Sequence, residues 1–572
     1  MRCKGNFKVA EEAEQKIKKQ QNDFAIFDTP QNCNYTKKLM QIKLHHTLWA
    51  IVCVVFFNTA SSQNFNWAYA AGGMGNDVGT SIATDANGNV YVSGNVSGGG
   101  YFGNQYVSGT VFEVFLAKYD AAGNVLWAKS YGGLKNEKAY SISITTDAVY
   151  VCGYFEDTAT FGNTTLVALG NYDAFVMKTD LNGNEIWTKQ AGGLNDDIAF
   201  GITADANDNV YVCGTYKTKL TIGNLELQTT NPFTESFIFS LDKNGNTRWA
   251  KTSKGNNNNS AFGIAWNKHQ AITVVGFLGS NFSLDSTTIV SQTSSYDAFV
   301  ASFDLDGNLR WLSQTGSAAE DQAMAVTCDT AGNSYVTGYI GGTATIANTA
   351  LPFYGWNDIF IAKLNNDGQF LWARHGGGAK LDLGTSITVD EESNVYIAGM
   401  FENSITFGST QLTDADRGVF LASYTTDGNF RFAQAAGDVQ TDAALGIAVK
   451  NSTAFITGYY LFKCKFGNFA MPYADFFNIF IAAYSVPKVL SVSDHWESGI
   501  RFFPNPASDV LYISTSETTQ LSIIDIQGKE LLNTTLTNGT QAVSTTALPA
   551  GILLLKFNSG NGLSGTAKLI KE

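Results

Sequence analysis

Residues 126–187 read LWAKSYGGLKNEKAYSISITTDAVYVCGYFEDTATFGNTTLVALGNYDAFVMKTDLNGNEIW, and Trp187 restarts the pattern that Trp127 opened. An aromatic at this position recurs at Trp67, Trp127, Trp187, Trp249, Trp311, Trp372 and Phe432, spaced by 60, 60, 62, 62, 61 and 60 residues. Self-similarity at a fixed period marks a repeat architecture in which each copy is one supersecondary unit. Each copy holds four runs of strand character, lettered a to d in the order they follow the Gly-Gly pair. Turns such as Asp85 to Asn89 and Asp329 to Asn333 join a to b, and Asp180 to Asn184, Asp242 to Asn246 and Asp304 to Asn308 join c to d. Their Asp, Asn and Gly residues supply the positive φ and side-chain-to-backbone bonds of tight hairpins.

Two regularities order the strands from centre to rim. Strand a is small at two places in every copy: Gly79, Ala139, Ala199, Ala261, Ala323, Gly384 and Ala444, then Ser81, Ser141, Gly201, Gly263, Ala325, Ser386 and Gly446. Sheets converging on an axis admit only small side chains, so strand a is expected innermost and strand d, with its Trp, outermost. Strand b ends in glycine in all seven copies (Gly94, Gly153, Gly214, Gly276, Gly338, Gly399, Gly458), which implies a position that forbids Cβ or needs positive φ. The array opens on a lone d strand (66–71) and closes on a lone c strand (479–485). Pairing the two removes both exposed edges. The expected fold class is therefore all-β: a seven-bladed β-propeller of four-stranded antiparallel blades over residues 63–487, followed by a small C-terminal β-sandwich. The "DxxGNVYVxG" core and the "W-A-K-x-x-G-G" start resemble the SBBP-type bacterial beta-propeller repeat over residues 65–486. That resemblance implies an architecture and little chemistry.

The flanking segments speak of export. Residues 40–62 carry Lys43, an apolar run from Leu48 to Phe57, and small residues Ala60 and Ser62 before Gln63, the pattern of a secretory signal peptide. Residues 1–39 precede the internal Met40 and are expected to be a non-native extension. No other segment is apolar enough to cross a membrane. After a polar linker (488–499), residues 500–572 alternate as half-buried strands. Within them Pro504-Asn505-Pro506, Asp525 to Gly528, the Gly551 turn and Lys568 to Lys571 stand in the order of the type IX secretion (Por) C-terminal sorting domain, which this segment resembles. Ile552 stands where that family has Tyr. The resemblance implies the type IX secretion machinery as a partner and the cell surface or exterior of a Gram-negative bacterium as the destination.

Composition narrows the remaining chemistry. Past residue 62 the chain has 28 basic and 45 acidic residues, a surface that repels nucleic acid. Cys152, Cys213, Cys328 and Cys464 sit in apolar runs without zinc spacing, so they read as buried small hydrophobes. His269, His375 and His495 show no metal-binding spacing, and no HExxH, GxSxG or Walker pattern occurs. No cofactor or metal is expected, and the Asp-rich turns lack the acidic twelfth position of a calcium loop. One positional set stands out: Asp77, Glu137, Asp197, Asn259, Asp321, Asp382 and Asp442 precede strand a in consecutive copies. They would either form an acidic binding ring at an axial mouth or bond backbone amides once per repeat. Tyr101, Phe353, Tyr354, Trp356, Tyr473, Phe476 and Phe477 could stack on sugars or pack on neighbouring blades. The expected function is a monomeric, non-enzymatic binding module for a glycan or protein. The alternative is a polysaccharide lyase or hydrolase working from the axial face.

The sorting assignment is testable. Deleting residues 500–572 should leave the protein in the periplasm, read by cell fractionation; unchanged surface delivery would refute it.

Overall fold

A computed structural model describes residues 65–571 except 269, 292–294, 439, 488–499, 504–506, 508, 526–528 and 560–563. The expected extension, signal peptide and linker therefore lie outside the described residues. Among those described, every regular element is a β-strand, and no helix is long and apolar enough to cross a membrane.

In each repeat strands a, b, c and d pair antiparallel in that order. In the second repeat they are Glu137–Ile144, Ala148–Phe155, Asp173–Asp180 and Glu185–Gly192. The two ends of the array meet as expected: Phe65–Gly72 pairs with Ala474–Ser485, with Trp67 opposite Ala483 and Ala71 opposite Ile479. The Ser485 hydroxyl donates to Asn66 Oδ1 at 2.7 Å. Each strand a packs beside strand a of the next repeat, and the last, Ala443–Lys450, packs beside the first, Val78–Thr84. The apolar cores lie between consecutive sheets; Tyr150 and Val176 of the second repeat, for example, join Val212 and Phe237 of the third.

Strand a carries a β-bulge between its two small positions in every repeat. In the third, Ala199 pairs with Gly214 and Gly201 with Cys213, so Phe200 has no opposite residue. The bulge drives a carbonyl onto the strand b glycine. A Cβ on Gly214 would lie 2.0 Å from the Ile198 oxygen, and one on Gly153 would lie 1.8 Å from that of Lys138. None of these seven glycines has positive φ. Close backbone approach, the first of the two explanations open to the sequence, is therefore the reason for glycine.

A second contact joins neighbouring sheets at the rim. The indole N–H of Trp187 donates to Lys243 O (3.0 Å), Trp249 to Leu305 O (2.9 Å), Trp311 to Asn366 O (2.9 Å) and Trp372 to Thr426 O (3.0 Å). Each acceptor lies in the c-to-d turn of the following repeat. Trp67, from the N-terminal strand, does the same to Ala121 O at 3.2 Å. The turn glycine is the surface on which the indole rests: a Cβ on Gly307 would lie 2.6 Å from the Trp249 ring, and one on Gly368 would lie 2.5 Å from Trp311. Phe432 breaks the tryptophan series where the following repeat has no c-to-d turn, since its c and d strands come from opposite ends of the array. With no turn carbonyl to accept, no N–H is needed, and the phenyl ring stacks on Tyr484 at 5.5 Å.

The b-to-c segments form hairpins of their own in addition to the four strands of each repeat. Thr158–Phe161 and Thr164–Val167 pair with each other, and the first also pairs with the end of the preceding repeat's strand d. The same addition occurs at Gly100–Phe102 on Phe65–Gly72 and at Lys219–Ile222 on Glu185–Gly192. Strand d is thus outermost within its own sheet but is partly covered by a neighbour's hairpin.

Towards the C-terminus, Arg501–Phe503, Val510–Thr515 and Gly539–Ser544 form one antiparallel sheet, and Glu530–Leu536, Thr519–Asp525, Gly551–Ser559 and Ser564–Lys571 form another. Leu511, Ile513, Leu521, Ile523, Leu555 and Leu569 share one buried core, the arrangement of a small sandwich.

Gly214→Ala should destabilise the protein by about 3 kcal/mol, because a Cβ there overlaps backbone that cannot move without losing the bulge. Thermal melting checks this; an unchanged midpoint would contradict the packing account.

Candidate functional site

The acidic set does not border an open mouth. Asp77, Glu137, Asp197, Asn259, Asp321, Asp382 and Asp442 are all fully buried. Their carboxylates turn onto backbone amides: Gly73 N and Ser97 N donate to Asp77 (2.5 and 2.7 Å), Gly133 N to Glu137 (3.1 Å), and Gly193 N to Asp197 (2.6 Å). Ser317 N and Gly341 N donate to Asp321, and Leu461 N to Asp442 at 3.3 Å. The backbone amides of Asp197, Asp321, Asp382 and Asp442 in turn donate to carbonyls of Tyr172, Tyr296, Asn357 and Arg417 just before or at strand c of the preceding repeat. Of the two roles weighed for this ring, the geometry fits the backbone-bonding one. Burial pushes Asp77 and Asp321 up to about 6, and Glu137, Asp197, Asp382 and Asp442 up to about 8, against the lowering effect of the amides.

A second acidic set, missed in the sequence, faces the first. Glu113, Asp173, Glu235, Asp297 and Asp358 begin strand c, each 24 residues before its ring partner; Asp414 and Asn478 fill the place in the last two repeats. The Gly-Gly backbone runs between the two sets. A Cβ on Gly132 would lie 2.5 Å from Glu137 and 2.9 Å from Glu113, and one on Gly316 would lie 2.7 Å from Asp321 and 3.0 Å from Asp297. The constant spacing was the available signal.

The Asp-rich turns close on themselves. Asp85 Oδ1 accepts from Asn87 N and Asn89 N, both at 2.9 Å, and Oδ2 accepts from Asn89 Nδ2 at 2.7 Å. Asp120, Asp180, Asp242 and Asp304 repeat the pattern, and these amide contacts hold their carboxyls below the ordinary range. Oxygens engaged by N–H donors do not offer a calcium loop. Among the described residues no three metal-ligating side chains gather.

A cavity of about 1350 Å³ opens at the opposite end of strand a, lined by the a-to-b turns of all seven repeats. Its wall includes Ile142, Ile202, Ile264 and Trp266, and its rim carries both carboxylates and the lysines Lys243, Lys268 and Lys450. Asp85 and Asp205 on this rim are committed to their own turns, and Glu391 pairs with Lys450 at 2.6 Å.

The expected aromatics divide. Tyr101, Tyr354, Trp356, Tyr473 and Phe476 are exposed, whereas Phe477 packs on Tyr459 at 4.7 Å. Phe353 is half-buried. One group is set apart. Tyr354 and Trp356 are 63% and 67% exposed, yet their backbones are fixed: Tyr354 N donates to Asp358 (2.8 Å) and Trp356 N to Lys380 O (3.2 Å). Beside them His375 Nε2 lies 2.9 Å from Asp358 Oδ2, the Tyr354 ring lies 5.4 Å from the imidazole, and Lys380 Nζ lies 5.1 Å from the Trp356 ring. The place of His375 holds Ala70, Ser130, Gln190, Thr252, Gln314 and Ala435 in the other copies, so the histidine breaks the repeat. His269 and His495 lie outside the described residues. The four cysteines are buried and free.

In the C-terminal unit Asp525 Oδ1 accepts from Lys529 N at 2.9 Å. Gly551 has φ +125°, Lys571 is buried and Lys568 is exposed on the last strand. Pro504, Asn505, Pro506 and Gly528 lie outside the described residues.

Comparison with known proteins adds the following. Residues 501–572 match the secretion system C-terminal sorting domain, and residues 186–215 match the beta-propeller repeat. A WD repeat-containing protein of Acanthamoeba polyphaga mimivirus is 23% identical over 493 residues, 68% of this chain and 35% of that protein. The regulatory protein FlaEY of Caulobacter vibrioides is 32% identical over 146 residues, 24% of this chain and 15% of that protein. The chain therefore spans well under half the length of either relative. Among solved structures, the extracellular domain of a one-component system of B. thetaiotaomicron aligns over 90% of this chain and all of that one at 9% identity, but its TM-score of 0.19 carries no argument. The chain carries a beta-propeller repeat and a type IX secretion C-terminal sorting domain, and is exported to the cell surface or beyond.

Proposed function

We propose that this protein is an exported, closed seven-bladed β-propeller that acts as a monomeric, non-enzymatic binding module. In this reading it takes a carbohydrate at the aromatic cluster of the fifth repeat. The closed wheel is supported by the pairing of Phe65–Gly72 with Ala474–Ser485 and by the packing of the last strand a on the first. A functional site is expected to break the symmetry of its scaffold, and the observation that carries the proposal does so. Tyr354 and Trp356 stand exposed on a fixed backbone beside the His375–Asp358 pair, in which an imidazole takes the place that Gln190 holds on Asp173 in the second repeat. Flat aromatic faces with adjacent polar groups suit a sugar ring, whose C–H face stacks while its hydroxyls bond.

The second reading is catalysis on a polysaccharide. It is favoured by Tyr354 and His375 lying side by side with the buried Asp358 behind the imidazole, a base-and-orienter arrangement. The two readings separate on one preparation. A glycan array with the secreted protein should give a hit that Trp356→Ala weakens by about tenfold or more, the loss expected for one stacked ring. Absence of any glycan binding would sink the first reading. Chain cleavage of a bound glycan, abolished by His375→Ala, would replace it with the second.

A further inference from the structure

The two facing acidic sets pose a problem that one repeat solves in view. Between the third and fourth repeats the ring position is Asn259, and its Nδ2 donates to Glu235 Oε2 at 3.0 Å. Both residues are buried. The amide supplies a hydrogen between two oxygens that would otherwise repel. In five other repeats both members are carboxyls: Glu113 with Glu137, Asp173 with Asp197, Asp297 with Asp321, Asp358 with Asp382, and Asp414 with Asp442. In the four other than Asp297 with Asp321, no Lys or Arg among the described residues forms an ion pair with either member. Within these pairs Glu137 Oε1 and Asp358 Oδ1 are buried without a hydrogen-bond partner.

We propose that each of these four pairs holds one shared proton, the carboxylic O–H of one member donating to the carboxylate of the other, and that these protons fasten strand a of one repeat to strand c of the repeat before it. The carboxyl O–H takes the place of the Asn259 N–H. No bond other than this hydrogen bond is made or broken. A metal ion is the poorer occupant. Calcium takes six to eight oxygens, whereas the same carboxylates already face the N–H groups of Gly133, Gly193 and Leu461.

The charges nearest each pair are mostly carboxylates, with Arg417 on Glu402 and the His375 imidazole on Asp358 as the basic groups. Glu156 also faces Glu137, and Asp196 faces Asp197. Glu402, itself paired with Arg417, faces Asp382, and His375 bonds Asp358. The Cys464 thiol faces Asp442. Ring members of the four pairs are pushed up to about 8, chiefly by burial, with the partner carboxyl adding to the rise; Asp77, beside Asn478, and Asp321, beside Asp297 and held by two backbone amides, reach about 6. A carboxyl whose folded value exceeds its unfolded value binds more protons when folded. Its stabilisation is complete below the unfolded value and is lost as pH rises through the folded one. The wheel is therefore fastened in mild acid and loosens in alkali.

The test is the melting temperature of the full secreted chain between about pH 5 and pH 9, in EDTA, beside the triple variant Asp197→Asn, Asp382→Asn, Asp442→Asn. The wild type should fall by about 5 °C or more across this range, and the variant, carrying the Asn259 solution in three more places, should fall much less. Infrared spectra of the wild type at pH 7 should show a protonated carboxyl band, a readout that stands even if the variant does not fold. A flat or rising wild-type profile, an unaltered slope in a folded variant, or absence of that band would overturn the proposal. So would a wild type that Ca²⁺ stabilises and EDTA destabilises at pH 7, since a cation would then occupy the pairs.

Discussion

Two repeats can meet only where one leaves bare backbone for the other to touch, and this constraint recurs at every level of the array. At the centre, the bulge in strand a presses a carbonyl onto a strand b residue that must lack Cβ. At the rim, an indole lies flat on a turn glycine of the next sheet and donates to a carbonyl of the same turn. Between them, the Gly-Gly backbone threads a pair of buried acidic or amide side chains. Three glycine positions per repeat thus mark three separate contacts between chain segments, two of them joining successive repeats, and the apolar cores fill the space that remains.

Buried acids are a costly way to hold such contacts. Desolvating a carboxylate generally exceeds what one hydrogen bond returns, and like charges side by side compound the cost. Their repetition makes sense as a specification of register: the residue before strand a bonds the backbone of two neighbouring segments at once, so a sheet shifted by one residue would strand an acid. Asn259 and Asn478 show that an amide can fill the same place. The chemistry required there is a hydrogen between two oxygens rather than a charge.

The candidate binding cluster differs in kind. Nothing in the scaffold requires an exposed Trp356 or a histidine at position 375, where other copies manage with Ala, Ser, Thr or Gln. Exposed aromatics held on a fixed backbone lower the ordering cost of capturing a ligand. The cavity at the a-to-b turns has a rim on which several carboxylates are already engaged by their own turns. The sorting domain and the proposed binding cluster reside on separate parts of the chain, so the former restricts where a ligand would be met without determining which it is.

Periodicity made much of this legible in the sequence. The spacing of the aromatic, the small residues of strand a and the orphan strands at the two ends were enough to order the strands and to pair Trp67 with the C-terminal strand, because these features follow from sterics that every copy must satisfy. The motifs from Pro504 to Lys571 were enough to identify the export signal. What the sequence could not resolve was where side chains point once copies face one another. The residue pattern alone left the acidic ring open between an exposed mouth and a buried clasp. Only the turn of each carboxylate onto Gly73, Gly133 or Gly193 decided it, since burial depends on neighbours some 24 to 60 residues away. Likewise Phe432 reads in the sequence as an imperfect tryptophan. Tertiary structure alone shows that the indole meets the c-to-d turn of the following repeat, the turn that the repeat after Phe432 lacks.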